Sequence, residues 1–250
     1  MLIQPEIFKN INGLIAAQST RQGGVSEAPY QSLNLGKNTN DDPARVQENR
    51  RLFGAALRFA PAQMAWSYQV HGLEVRHAQQ PGGSEGFDAL ISNTPGVVVA
   101  VSVADCTPVL VYDQRHGAMA AIHAGWKGAS GQIVSKTLEA MEMAFGTRGE
   151  DCLAFIGACI DAAHFEVGPE VAAAFDPVFV FDPNDGRGKY FVDLKAACAA
   201  QLQSFGLVAN QIEISPFSTI ADNDTFFSHR REKGITGRML AVIGMPENGA

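Results

Sequence analysis

A chain of 250 residues that is 46% hydrophobic and 18% charged has ordinary globular composition, which excludes collagen, coiled coil and disorder. Its 19 Lys and Arg against 26 Asp and Glu leave a formal charge of -7, so no global basic field attracts nucleic-acid backbone or anionic lipid. The most apolar run, residues 96–104, ends at Asp105, short of the roughly 20 residues that a membrane span needs.

The start, Met1-Leu-Ile-Gln-Pro-Glu, lacks the basic and apolar segments of a signal peptide, and a cytoplasmic location is expected. Cys106, Cys152, Cys159 and Cys198 form no C-x-x-C pair, so they are expected to be thiols, most of them packing. No repeat or linker composition divides the chain, and a single domain over 1–250, acting as a monomer, is the expectation.

In chain order, residues 20–36 are rich in Gly and small polar side chains and read as a long loop. Asp41-Asp-Pro then supplies a cap with Pro in the first turn. Val46, Leu52, Phe53, Ala56 and Leu57 recur at helical spacing and predict a helix over 43–58. From Gly96 the pattern changes to strands over 97–103, 108–112 and 118–123. The short loop 113–117 makes the last two an antiparallel hairpin whose paired residue numbers sum to about 229 or 230. In the first register Cys106 and His123 stand opposite each other on one face; in the second they are diagonal and on opposite faces. A metal shared by the two requires the first register or a bulge.

After Gly125-Trp-Lys-Gly128, the apolar positions Ile133, Val134, Leu138, Met141 and Phe145 trace one face of a helix that stops at Gly146. Further on, 152–156 reads as a strand, 170–175 and 193–205 as helices, and 239–244 as a final strand. Interleaved strands and helices with a hairpin predict an α/β (α+β) fold built on mixed sheets.

His71, Cys106 and His123 are the residues with metal-ligand chemistry. Each His ends an apolar run shortly before a glycine, Gly72 next to His71 and Gly125 two residues after His123, where a sheet delivers a side chain to a cleft. Two imidazoles and one thiolate suit zinc with an open fourth position; the competing reading of an isolated Cys after a buried strand is apolar packing. His77, His116, His164 and His229 read as exposed or structural. Thr20-Arg-Gln-Gly-Gly, Lys127-Gly, Ser228-His-Arg-Arg231 and Thr236-Gly-Arg238 combine glycine amides with cations and suit an anion, or else are turns with solvated charges. Asp105 is a general-base candidate or a turn cap, and Trp126 and Phe227 stack on a heterocycle or pack in the core. The joint zinc deaminase signature, H-x-E together with P-C-x-x-C, is missing, and so are H-E-x-x-H and the Walker phosphate loop.

Thr20-Arg-Gln-Gly-Gly-Val-Ser, Ser32-Leu-Asn-Leu-Gly36, Gln69-Val-His-Gly72, Ala104-Asp-Cys106, Val109-Leu, His123-Ala-Gly-Trp-Lys-Gly128, Phe165-Glu-Val-Gly168, Phe226-Phe-Ser-His-Arg-Arg231 and Thr236-Gly-Arg-Met239 together resemble the YfiH/laccase-domain family. The resemblance is ordered and spans nearly the whole chain. It implies one α/β domain with mixed β-sheets packed between helices, related to a cysteine-hydrolase-like architecture. It also implies His71, Cys106 and His123 as ligands of a metal, zinc or alternatively copper.

The activity implied is that of a purine nucleoside enzyme: phosphorolysis of adenosine, inosine, guanosine or methylthioadenosine, and hydrolytic deamination of adenosine. Nucleoside and phosphate are then the small-molecule partners, with no nucleic acid and no membrane. On this reading Cys106, Asp105 and His123 are catalytic, Asp105 as a proton shuttle and His123 or the metal polarising the leaving purine. Arg21, Asn34, Gln69, Arg230 and Arg238 bind substrate, with Arg21 and one of Arg230 or Arg238 on phosphate. The family name also implies a copper-dependent polyphenol oxidase, against which six His with no H-x-H weigh. A non-catalytic or editing role in cell-wall precursor quality control is a third implication. Two positions depart from the family pattern: Ser218-Thr219 where many relatives carry Cys-Thr, and Lys127, a point charge, where they carry the guanidinium fork of Arg.

Overall fold

Residues 98–103, Val-Val-Ala-Val-Ser-Val, are apolar at successive rather than alternate positions, the pattern of a strand covered on both faces. The computed structural model, which describes residues 2–245, supplies both covers. One six-stranded mixed sheet has the order β1 (Leu2–Ile3), β2 (Ile15–Ser19), β15 (Met239–Gly244), β7 (Val98–Val103), β3 (Met64–Tyr68) and β5 (Gly82–Glu85). A second has the order β14 (Ile212–Ile214), β10 (Cys152–Ile156), β8 (Thr107–Asp113), β9 (Ala118–Ala124), β6 (Ala89–Ser92) and β4 (Val75–His77). A small antiparallel sheet joins β11 (Glu166–Val167), β13 (Tyr190–Val192) and β12 (Val180–Phe181). The helices are α1 (Pro43–Ala56), α2 (Trp126–Ser130), α3 (Ile133–Phe145), α4 (Pro169–Ala172) and α5 (Leu194–Ser204).

The two large sheets stack face to face between helices. Val98, Ala100, Leu240 and Val242 meet Phe53 of α1 and the loop residues Leu33 and Leu35 on the outer face of the first sheet. Their strand neighbours Val99, Val101, Ala241 and Ile243 turn inward and meet Leu110, Met119, Ala121 and Phe155 of the second sheet. The far face of that sheet, through Val109, Val111 and Ile122, packs on α3 and α5 by way of Leu138, Met141, Cys198 and Leu202. The mixed α and β architecture with sheets between helices is therefore the expected one. Among the described residues, no helix is long and apolar enough to cross a membrane.

The element ends have local causes. The Asp42 carboxylate accepts from Ala44 N at 2.8 Å and Pro43 opens α1; the helix stops at Ala56, before Arg58, because Arg58 has a φ of 60° and cannot extend it. Gln132, at φ 67°, divides α2 from α3, and Gly146, at φ 77°, closes α3 as expected. Asp193 caps α5 through Ala196 N, whereas α4 is a single turn, shorter than the 170–175 predicted.

The hairpin register differs from both expectations. Pro108, not Cys106, faces His123, and Asp113 faces Ala118, a shift of two residues from the first expected register and one from the second. Asp113 stays in the ladder while its carboxylate accepts from Arg115 N and His116 N, so the loop is 114–117 and closes at Gly117, φ 61°. Two residues are one strand period, so Cys106 and His123 keep a common face and meet diagonally rather than side by side.

Leu110 is fully buried between the sheets, so Leu110→Ala leaves a cavity there. We expect a loss of about 2–5 kcal/mol in urea unfolding, with the slope unchanged.

Candidate metal centre

Four segments converge at one end of the stacked sheets. His71 lies in the turn after β3, Cys106 in the three-residue corner between β7 and β8, and His123 near the end of β9; Asp88 immediately precedes β6. Both corners are tight: His71 has a φ of 58° and Asp105 one of 84°. The donor atoms of His71, Cys106 and His123 lie within 4.8 Å of one another, with Cys106 Sγ 3.8 Å from His71 Nε2. A zinc-like ion with bonds of about 2.0–2.3 Å draws its donors to roughly 3.5 Å, close to this spacing. Gly125 makes the approach possible, since a Cβ there would stand 2.8 Å from His71 Cδ2 and 3.2 Å from Cys106 Sγ. The structure thus brings together the three residues that the sequence reading named.

It missed Asp88. This carboxylate is fully buried, and Oδ1 accepts from His123 Nδ1 at 2.8 Å and from His71 N at 2.9 Å. Oδ2 accepts from Gly72 N at 2.7 Å and Val70 N at 3.1 Å. With Nδ1 of His123 committed to Asp88, Nε2 is the nitrogen left for a metal, the arrangement in which a carboxylate orients a ligating imidazole. Burial raises the Asp88 carboxyl, but its His123 and backbone partners outweigh that and hold it below the usual range. A lone Asp before Ala-Leu-Ile-Ser carries no sequence signal for this role.

The same charges single out Cys106. Burial alone would push its thiol up, yet the His123 charge and the hydrogen bonds of both imidazoles bring it down to about 6. Reciprocally, burial works against charge on His123, while the Cys106 thiolate and Asp88 lift that imidazole well above its ordinary value. Burial pushes Cys152 and Cys159 up to about 12 and Cys198 higher still, so these three are packing thiols as expected.

The cluster lines a cleft of about 340 Å³, walled also by Gln69, Phe165, His229, Arg230 and Arg238. Arg230 donates from Nη1 to Glu166 O at 3.0 Å, and its guanidinium lies 5.6 Å from the Phe165 ring centroid. Burial lowers the half-buried Arg238, against the pull of Cys106 and Asp105. Gln69 lines the cleft while clamping β3 to β7 through Ser102 O, N and Oγ. Asp105 also lines it, but Oδ1 accepts from Thr219 Oγ1 and Oδ2 from Arg230 N, both at 2.6 Å. The Thr219 of the divergent Ser218-Thr219 pair is thus a brace on Asp105.

Two expected substrate residues stand elsewhere. Arg21 pairs with Glu232 at 3.1 Å, donates to Gln31 O and Asn223 O, and covers Phe227. Asn34 is buried behind the cleft, where Oδ1 accepts from Arg238 N at 2.9 Å and Nδ2 donates to Thr39 and Asp41. Trp126 packs on the core beside α3, and the exposed Lys127 lies over its ring; neither lines the cleft. His229, read as structural from sequence, lines it instead; only the fold of the chain after Phe227 brings it there.

Residues 15–246 match the family described as Multi-copper polyphenol oxidoreductase laccase. The chain is similar to a "Purine nucleoside phosphorylase" of Deinococcus radiodurans, 45% identical over 92% of this chain and 88% of that protein. It is likewise similar to "Purine nucleoside phosphorylase YfiH" of Escherichia coli, 40% identical over 97% and 98%. Among solved structures, YlmD from Geobacillus stearothermophilus superposes with a TM-score of 0.89 at 30% identity, covering 97% of this chain and 94% of that one.

Asp88→Asn removes the charge that orients His123. Metal affinity measured against a chromophoric chelator should fall about 10–100-fold; an unchanged affinity would assign Asp88 to folding alone. In metal-free protein, alkylation of Cys106 by iodoacetamide should titrate with a midpoint near 6, slowing as pH falls through it, and His123→Gln should move that midpoint upward.

Proposed function

The chain belongs to the multi-copper polyphenol oxidoreductase laccase family, and we propose that it is a metal-dependent purine nucleoside enzyme, a phosphorylase that also deaminates adenosine. The observation that carries this reading is the His71–Cys106–His123 cluster in the wall of a cleft that also holds Arg230 and Arg238. Three protein donors leave a coordination position for a small ligand, and guanidinium forks suit phosphate. A cleft of about 340 Å³ falls within the range of small-molecule sites. Similarity to proteins named purine nucleoside phosphorylase supports the nucleoside class.

Zinc is the metal proposed, because two imidazoles and a thiolate are its borderline donors; the same set also accepts copper. A metal bound there supplies Lewis-acid polarisation and lowers the pKa of water towards roughly 7. The residues of the chain do the positioning. Asp88 holds the Nδ1 proton of His123 and keeps Nε2 towards the cleft. In phosphorolysis, a phosphate oxygen bonds to the anomeric carbon of the ribose as its bond to the purine breaks, releasing the base and ribose 1-phosphate. Arg230 and Arg238 hold the phosphate while positive charge develops on the sugar. In deamination, water replaces the amino group of adenosine and ammonia leaves.

Asp105 acts in this scheme by holding the Arg230 backbone, since both its oxygens are engaged. Arg21 supports the same loop from outside the cleft through Glu232. The donor set gives the oxidase reading no support: among the described residues, no other group of three or more His, Cys, Asp or Glu side chains is arranged to hold further metal ions.

Metal-replete protein incubated with adenosine or inosine, with and without phosphate, should release base only with phosphate and convert adenosine to inosine without it. Chromatography reads both products. Cys106→Ala should abolish both, and absence of either product under any metal condition overturns the proposal.

A further inference from the structure

A second cavity, of about 690 Å³, opens between α1 and β3 beside the metal cleft. A neck of about 20 Å³ lies between the two: it shares Asn38, Gln69 and Ser102 with the cleft, and Lys37, Arg50, Trp66 and Tyr68 with the larger cavity. So small a volume admits about one water-sized group at a time, which makes the neck a constriction rather than a channel.

Two cations line this constriction without a counter-charge. Arg50, on α1, is only 7% exposed, and its Nε donates to Leu35 O at 2.9 Å. Lys37 Nζ lies 4.2 Å from the Trp66 ring centroid, and the Arg50 guanidinium carbon 5.9 Å from the same ring. Among the described residues, neither cation joins any of the ion pairs. The nearby acids are committed elsewhere: Asp41 accepts from Ser26, Asn34 and Asp42 N, and Glu48 pairs with Arg51 at 2.8 Å.

Holding a buried guanidinium beside a second cation is unfavourable in a folded chain unless an anion offsets it. Burial and the Arg50 charge hold the Lys37 ammonium below its ordinary value, and burial brings Arg50 down to about 10. Tyr68 meets Trp66 edge to face with centroids 5.1 Å apart, so an aromatic wall continues from the cations into the larger cavity.

We propose that the end of the larger cavity at this neck is a subsite for the phosphate group of a phosphorylated nucleoside, bound by Arg50 and Lys37, with Trp66 and Tyr68 walling the space around it. The proposal rests on the nucleoside reading of the adjoining cleft and extends its substrate class from nucleosides to nucleotides. A guanidinium fork and a mobile ammonium together recognise phosphate oxygens. Free phosphate presents the same oxygens, but a neck between two cavities favours a phosphate tethered to a body in one of them.

The test is equilibrium binding rather than turnover. The chain has two Trp, so Trp126→Phe leaves Trp66 as the single reporter. Adenosine, AMP, ADP and inorganic phosphate are titrated against its fluorescence, in metal-replete protein and in Cys106→Ser. AMP or ADP should bind at least tenfold more tightly than adenosine, and Lys37→Met should remove most of that advantage. Arg50→Lys, checked for folding by its melting curve, should reduce it as well. The advantage should survive in Cys106→Ser, where the nucleoside chemistry is lost, which separates the subsite from turnover; nucleotide binding by metal-replete protein with Cys106 intact that yields no nucleoside product would sink the activity while keeping the subsite. Equal affinity for adenosine and AMP, inorganic phosphate binding as tightly as AMP, or an advantage untouched by Lys37→Met would each overturn the subsite.

Discussion

The buried carboxylate of Asp88 takes four hydrogen bonds, from the backbone of Val70, His71 and Gly72 and from Nδ1 of His123. A charge without access to water is tolerated only when its oxygens are satisfied, so the loop that carries His71 and the strand that carries His123 have to meet at this point. Moving either would leave an unpaired carboxylate inside the protein. The left-handed backbone at His71 is held by the same contacts, since His71 N and Gly72 N both donate to Asp88. One residue thereby sets the separation of two ligands that are far apart in the chain.

Electrostatics then sorts otherwise similar groups. Four cysteines are free thiols, but only Cys106 has imidazoles against it, and only Cys106 is brought towards the thiolate form near neutrality. The other three are fully buried, Cys152 and Cys198 among apolar side chains, and burial favours the neutral thiol. The arginines divide in the same way. Arg21 is matched by Glu232 and braces a loop, Arg230 and Arg238 reach the cleft, and Arg50 stands in a neck without an acid. A chain of net charge -7 thus gathers unmatched positive charge along adjoining cavities, as a site for anionic ligands requires.

Much of the scaffold was legible because it rests on local rules. The cap at Asp42, the stop at Gly146 and the apolar face of α3 follow from short-range hydrogen bonding and helical periodicity. The end of α1 was not, because the left-handed turn at Arg58 carries no glycine to announce it. The hairpin was legible as a hairpin but not in register. Asp113 both pairs in the ladder and caps the loop, and nothing in a one-dimensional pattern says that one residue does both.

The residues alone named His71, Cys106 and His123 as donors, placed Cys106 and His123 at the mouth of one hairpin, and, through ordered motifs, pointed to a family. Tertiary structure decided the rest. It brought His71 and Asp88 to that mouth, placed His229 in the cleft, and turned Arg21 and Asn34 into supports behind it. It also aligned Lys37 and Arg50 beside Trp66 between two cavities. The division has a physical reason: propensity, capping and periodicity act over a few residues and are written in sequence order. The satisfaction of a buried charge depends on which distant backbone N–H groups and side chains the packed sheets deliver to it.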